Sequence, residues 1–334
     1  ACANKRWRRD AAPTSSQAGH RGCGNIASPP SCPESSLQLI LIVTVLVVVA
    51  CPLLLAMAGA YRTRSEPRAS AIAWDAQQTA WSALLYTLAF NLVFFVQELF
   101  LVLPKAFTPG LRPTLFHNNH AWEGEHPLAA LFQGTGALAT FAMGLAILFL
   151  LKRGAGRSFG ARLLLIWLAY CGVFMALPQV VAGALSSGSD VGMAMDYLAL
   201  SAQAKSIAAL LALAVMPWFA REFCTQLLRL ATPAQLASGR TRSLFILRVA
   251  TLPALAAIAL ILPFRVPREW MEVLFLPVVV LLAGMPWMQS GAWRLRAVES
   301  ARLASSPSTA LPLLAVGVLL AVFQLVLRPG IAFF

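Results

Sequence analysis

The 334-residue chain contains four histidines, and three of them fall within ten residues. They stand in Phe116-His117-Asn118-Asn119-His120-Ala121-Trp122-Glu123-Gly124-Glu125-His126-Pro127, spaced H-x2-H-x5-H with two carboxylates interleaved. Imidazole and carboxylate suit zinc, copper, iron or nickel. On a helical turn, His117 and His120 would share a face as an i, i+3 pair, and His126 could fold back as a third ligand. The same residues also suit an interfacial loop that rests its His and Trp side chains at headgroup level. Haem fits less well, because the H-x2-H spacing serves one ion better than the two faces of a macrocycle. Glu98, in Phe94-Phe95-Val96-Gln97-Glu98-Leu99-Phe100, is a carboxylate at membrane depth, which is costly and marks a functional candidate. Lys205 is its candidate ion-pair partner, and Asn91 lies about two turns away on the same face. A third group comprises Ala176-Leu177-Pro178-Gln179, Gly183, Ser186-Ser187-Gly188-Ser189-Asp190-Val191-Gly192 and Asp196. A Gly/Ser turn before an N-capped helix, with Asp at the favourable dipole end, accounts for that group without any activity.

Membrane helices have to position these side chains. Apolar residues make up 59% of the chain and charged residues 12%, where a soluble domain has roughly 45–50% and about 25%. This excludes soluble globular, fibrous and disulfide-scaffold classes and predicts an all-α, polytopic membrane helix bundle. A hydrocarbon core of ~30 Å takes about 20 apolar residues per helix. Eight stretches qualify: 37–60, 79–103, 128–151, 161–186, 199–218, 245–264, 271–289 and 311–328. Pro104, Pro127 and Pro267 mark ends. Pro52, Pro178, Pro217, Pro253 and Pro277 lie inside or near the ends of spans, where neighbours can satisfy the carbonyls they free. Gln133-Gly134-Thr135-Gly136-Ala137-Leu138-Ala139 opens the third span. It lacks the Lys and the strand context of a phosphate loop and predicts close helix packing through small residues.

The chain carries 26 Lys and Arg against 13 Asp and Glu, a formal charge of +13. The charge lies between apolar runs and no compact basic motif exists, so nucleic acid is not an expected partner. Fifteen cations fall in loops 61–78, 152–162, 218–248 and 290–310, and five in 104–127, 187–198, 265–270 and the C-terminus. The positive-inside rule puts the first set in the cytoplasm and turns the His-rich loop 104–127 and loop 187–198 outward. The expected location is a bacterial cytoplasmic (inner) membrane. Residues 1–36 are polar, rich in Pro, Ser and Gly, and read as a disordered basic tail without assigned function; residues 37–334 form the transmembrane domain. The six cysteines are scattered without a C-x-x-C pair, which gives no zinc or redox motif.

The stretch from 85 to 196 resembles the core of site-2-protease-like intramembrane metalloproteases. Gln97-Glu98-Leu99-Phe100-Leu101 stands where that family has H-E-x-x-H, Gly134-Thr135-Gly136-Ala137 opens a small-residue helix, and Leu177-Pro178 leads to Asp190-Val191-Gly192. The resemblance implies Glu98 as general base and Asp190 as a metal ligand. Gln97 and Leu101 replace both motif histidines, and Val191 interrupts the Asp-Gly pair, so the resemblance is to a degenerate member. Two lost ligands abolish a three-ligand zinc site unless the loop histidines rebuild it. Three functional classes follow. One is a non-peptidase partner or subunit of another membrane protein. The second is a metal-dependent membrane hydrolase in which His117, His120 and His126, or two of them with Glu123, Glu125 or Asp190, hold one divalent ion, zinc first among the candidates, with Glu98 as base. The third is a transporter, which would need polar groups near the midplane. Besides a partner protein, the lipid bilayer is the expected surrounding.

Overall fold

The computed structural model describes residues 33–66, 74–295, 298–301 and 309–334. The tail expected over residues 1–36 lies outside the described residues as far as residue 32, and from Pro33 the chain is already helical. The helices are α1 (Pro33–Arg62), α2 (Ala76–Ala106), α3 (Leu128–Leu131), α4 (Thr135–Lys152), α5 (Phe159–Leu185), α6 (Asp190–Tyr197), α7 (Ala202–Leu228), α8 (Pro233–Leu236), α9 (Gly239–Ile246), α10 (Leu252–Arg265), α11 (Trp270–Ala292) and α12 (Ala310–Ala321). A 3-10 turn joins α3 to α4, and π turns link α9 to α10 and extend α12. Among the described residues, eight helical segments are long and apolar enough to cross a membrane, and the chain is an all-α, multi-pass membrane protein. Helices are the form that satisfies every backbone amide where no water is present. Asp75, Ser158, Ser189, Ser201 and Ser238 start five of them by accepting a backbone N–H of the first turn.

The fifth span is longer than its expected 199–218. Helix α7 continues through Pro217 to Leu228, because Phe219, Ala220, Phe223, Cys224, Leu227 and Leu228 keep one buried stripe at helical spacing. The sixth begins at Gly239 rather than 245 and passes through the π turn at Leu247–Thr251. Pro253 has no N–H to give the carbonyl four residues earlier. Ser82 Oγ on α2 donates to that carbonyl, Val249 O, at 2.6 Å, and Thr79 Oγ1 donates to Arg248 O at 2.9 Å.

α2 and α5 lie at the centre, surrounded by α4, α7, α10 and α11, while α1 and α12 are peripheral and face lipid along most of their length. Small residues set the closest approach. A Cβ on Gly172 of α5 would stand 2.7 Å from Thr140 O and 3.0 Å from the Gly144 Cα on α4. A Cβ on Gly136 would stand 2.8 Å from Gln97 O, so the Gly-rich opening of the third span presses α4 against α2. In lipid such packing, not water exclusion, drives association. Below the middle, Tyr86, Trp167, Tyr170 and Phe174 fill the core, with ring centroids 4.7–5.7 Å apart along Tyr86–Trp167–Tyr170–Phe174. Trp167 Nε1 donates to Ser82 Oγ and Tyr170 OH to Val280 O.

One end of the bundle carries a small sheet of strands β1 (Arg112–Leu115), β2 (His120–Glu123) and β3 (Ile331–Ala332), ordered β2-β1-β3 and antiparallel. β1 and β2 form a hairpin in which Leu115 faces His120 and Pro113 faces Trp122. The Val266 carbonyl meets His117 of the hairpin turn, and α6 packs on α3. All the segments assigned outward by charge count therefore gather at this hairpin end.

Candidate functional site

The site is built on one face of α2. Glu98, Leu101 and Lys105 recur at i, i+3 and i+7, so they share a side, and all three are buried. The hairpin lowers His120 onto this face. Its Nδ1 lies 2.9 Å from Glu98 Oε2, with both side chains 8% exposed. Its Nε2 lies 3.0 Å from Gln133 Oε1, which the 3-10 turn before α4 presents. Lys105 Nζ donates to Leu101 O at 2.8 Å and to the same Gln133 Oε1 at 3.3 Å, and it stands 4.5 Å from the Trp122 ring centroid. Trp122 in turn stacks against His120.

Donor counting assigns the protons. An ammonium only donates, so Gln133 presents its oxygen, and His120 Nε2 must carry a hydrogen to meet that oxygen. One proton then remains between Nδ1 and Oε2, as imidazolium–carboxylate or imidazole–carboxylic acid. Without it two lone pairs would face each other. Asp190, at the head of α6, lies within reach of these charges. Burial raises its carboxyl above the usual range; His120 and Lys105 pull it down and Glu98 pushes it up. Gln179 Nε2 donates to Gln97 Oε1 at 2.9 Å, joining α5 to α2.

A second contact holds the hairpin turn. Asn118 Nδ2 donates to Arg265 O at 3.0 Å, and His117 Nε2 donates to Val266 O at 3.2 Å. Burial, ahead of the nearby arginines, lowers the His117 pKa, which keeps the ring neutral. The Arg265 guanidinium lies 4.5 Å from the Phe94 centroid, donates to Glu272 O and feels the charge of Glu98.

Two expectations need correction. The three histidines do not converge. The segment is a hairpin, not a helical turn, so His117 in its turn is directed to the end of α10 and His120 on β2 to α2. His126 Nδ1 accepts the Leu128 N–H at the start of α3. Among the described residues no three His, Cys, Asp or Glu side chains are grouped to hold a metal ion. Nor does Lys205 pair with Glu98. Lys205 bonds Asp196, nine residues earlier, and this contact lowers the Asp196 carboxyl. Asn91 is spent locally on Thr87 O. The structure does bring Glu98 and His120 into contact, with Asp190 within electrostatic reach of both.

Lys105, Gln133 and Arg265 were not singled out from sequence as site residues. The signal for Lys105 was its position two turns after Glu98; Gln133 had none apart from its segment.

A shallow groove of about 590 Å³ opens beside the cluster, lined by Trp122, Glu125, His126, Pro127, Ala130 and Met193 among others. The architecture and this buried ion-paired cap define a multi-pass membrane protein. No family model matches the chain, and no curated protein or solved structure matches it.

Proposed function

We propose that the protein is a non-peptidase component of a membrane assembly, a partner or subunit of another membrane protein on a degenerate site-2-protease-like core. The observation that carries this reading is the Glu98–His120 pair. The carboxylate that the resemblance makes a water-activating base is already bonded to an imidazole and is shielded from solvent. The hairpin end also offers a contact surface: Phe107, Leu198, Trp270 and Met271, in the segments that gather there, are exposed by 57–84%. Apolar exposure rimmed by charge is a feature of protein-contact sites. The transport alternative has less support. The central thirds of α2, α5, α7 and α11 contain no charged residue, and buried charges mark ion paths.

The test places photo-crosslinking residues at Ala130 and Met193 in the native membrane, with Leu46 on the lipid-facing side of α1 as control. A discrete protein adduct from the groove positions and none from Leu46 is expected. No adduct from either groove position removes the subunit reading. Metal analysis of the purified protein runs alongside. About one zinc per chain, lost in His120→Ala, would replace the reading with the hydrolase.

A further inference from the structure

We propose that the end of the bundle opposite the hairpin binds the headgroup of an anionic phospholipid through Arg62, Arg64 and Arg294. α1 is one of the two peripheral, lipid-facing helices, with Leu46, Leu53, Leu54 and Met57 exposed, and it ends at Arg62. Trp293, just after α11, lies directly on its last turn: a Cβ on Gly59 would stand 2.3 Å from the indole Nε1. Arg62 and Arg294 both approach this ring, at 6.0 and 4.8 Å from its centroid. The two guanidiniums are therefore within about 11 Å of each other. Arg64 lies over Tyr61 at 4.3 Å.

None of the three arginines forms an ion pair among the described residues. Glu66, two residues after Arg64, accepts the backbone N–H of Arg240 at 2.9 Å, and Glu299, five residues after Arg294, is in no ion pair among the described residues. At the same end Lys152 is matched differently, with a 2.8 Å bridge to Glu222. Three cations outside any ion pair among the described residues thus cap an apolar, lipid-facing helix beside Tyr61 and Trp293. The complementary molecule is an amphiphile with its acyl chain along α1 and its phosphate at the guanidiniums. Arginine suits phosphate because its planar fork donates two parallel hydrogen bonds, and basic clusters at the membrane surface recognise anionic headgroups.

The full-length protein, purified in detergent, is equilibrated with equimolar phosphatidylglycerol and phosphatidylcholine, and the retained lipid is counted by mass spectrometry. Phosphatidylglycerol should be enriched roughly tenfold or more, each arginine contributing a few-fold. Arg62→Ala/Arg64→Ala/Arg294→Ala should bring the ratio near parity. The control Arg153→Ala/Arg157→Ala/Arg221→Ala, from the same end, should keep the enrichment. Equal loss in both triple variants means diffuse charge and overturns the site, as does an unenriched wild type. Excess inorganic phosphate should leave the lipid bound; displacement by it would show a phosphate site and overturn the lipid assignment. If the triple variant does not fold, the wild type still decides the matter. Its melting temperature should be higher in phosphatidylglycerol nanodiscs than in phosphatidylcholine ones, and no rise refutes the proposal.

Discussion

Removing the imidazole of His120 should cost far more than neutralising its partner. In His120→Ala, Glu98 stays in a pocket where it was 8% exposed but loses the hydrogen bond to Oε2. Breaking a buried pair in this way costs about 3–5 kcal/mol. Lys105 and Arg265 remain within electrostatic reach of the carboxylate, so the lower part of that range is expected. Glu98→Gln is a different change. Its amide can donate to Nδ1 while Nε2–H still serves Gln133, every group keeps a partner, and the cost should be about 1 kcal/mol or less. Glu98→Ala/His120→Ala should cost less than the sum of its single variants by at least ~1 kcal/mol, the coupling of a contacting pair. Reversible unfolding in mixed micelles gives the free energies, and hydrogen exchange over residues 112–123 reports whether the loss is local to the hairpin. Equal costs for Glu98→Gln and His120→Ala, or strict additivity in the double variant, would refute the shared-proton account.

Burial holds the Asp190 carboxyl above its ordinary range, so its folded form favours the proton. That contribution is present below the unfolded pKa and is lost as pH rises through the folded one. Asp190→Asn should therefore melt higher than wild type at neutral pH, the difference shrinking in acid; a lower melting point at neutral pH counts against the placement. His117 works in the opposite sense. Its pKa is lowered by burial, so its contribution is complete above about pH 6.5 and is lost as pH falls through the folded value. Amide protection factors in the turn at 116–119, exchange rates taken relative to the intrinsic rate at each pH, should fall on acidification, and His117→Gln should flatten that dependence. Gly172→Ala places a methyl 2.7 Å from a carbonyl oxygen of α4 and should destabilise by roughly 1–3 kcal/mol, measured in the same micelle titration; an unchanged stability would mean the two helices separate freely.

The fold was legible where one physical rule decided it. Long apolar runs must be helices in lipid, and all eight spans came through, with errors at their ends. The fifth span, expected to end at 218, runs on past Pro217, because the stripe from Phe219 to Leu228 continues the helical period, and that stripe is readable in the sequence. The site was less legible. Residues 112–115 and 120–123 are too short to show a strand period, and β1's second partner lies more than 200 residues away at Ile331–Ala332. Without the hairpin, H-x2-H read as a helical pair, and the histidines were given one common target instead of three. The Lys205 error has a simple cause. A carboxylate nine residues away was closer in space than one in the same leaflet on another helix.

The placement of α1 has a consequence in time. Among the described residues it packs mainly on α7 and α11, neither adjacent in the chain. About 165 residues separate Arg62 from Leu228, which at ~5–20 residues per second takes roughly 8–30 s to synthesise. Throughout that wait α1 lacks its main packing partners among the described residues. It must be at ease in lipid on every side, and its span from Leu41 holds no charged residue before its final Arg62. α4 and α5 differ: they are consecutive and meet as soon as the second leaves the ribosome. Their shared glycine seam can therefore close early, while α1 can afford no seam that needs a partner at birth.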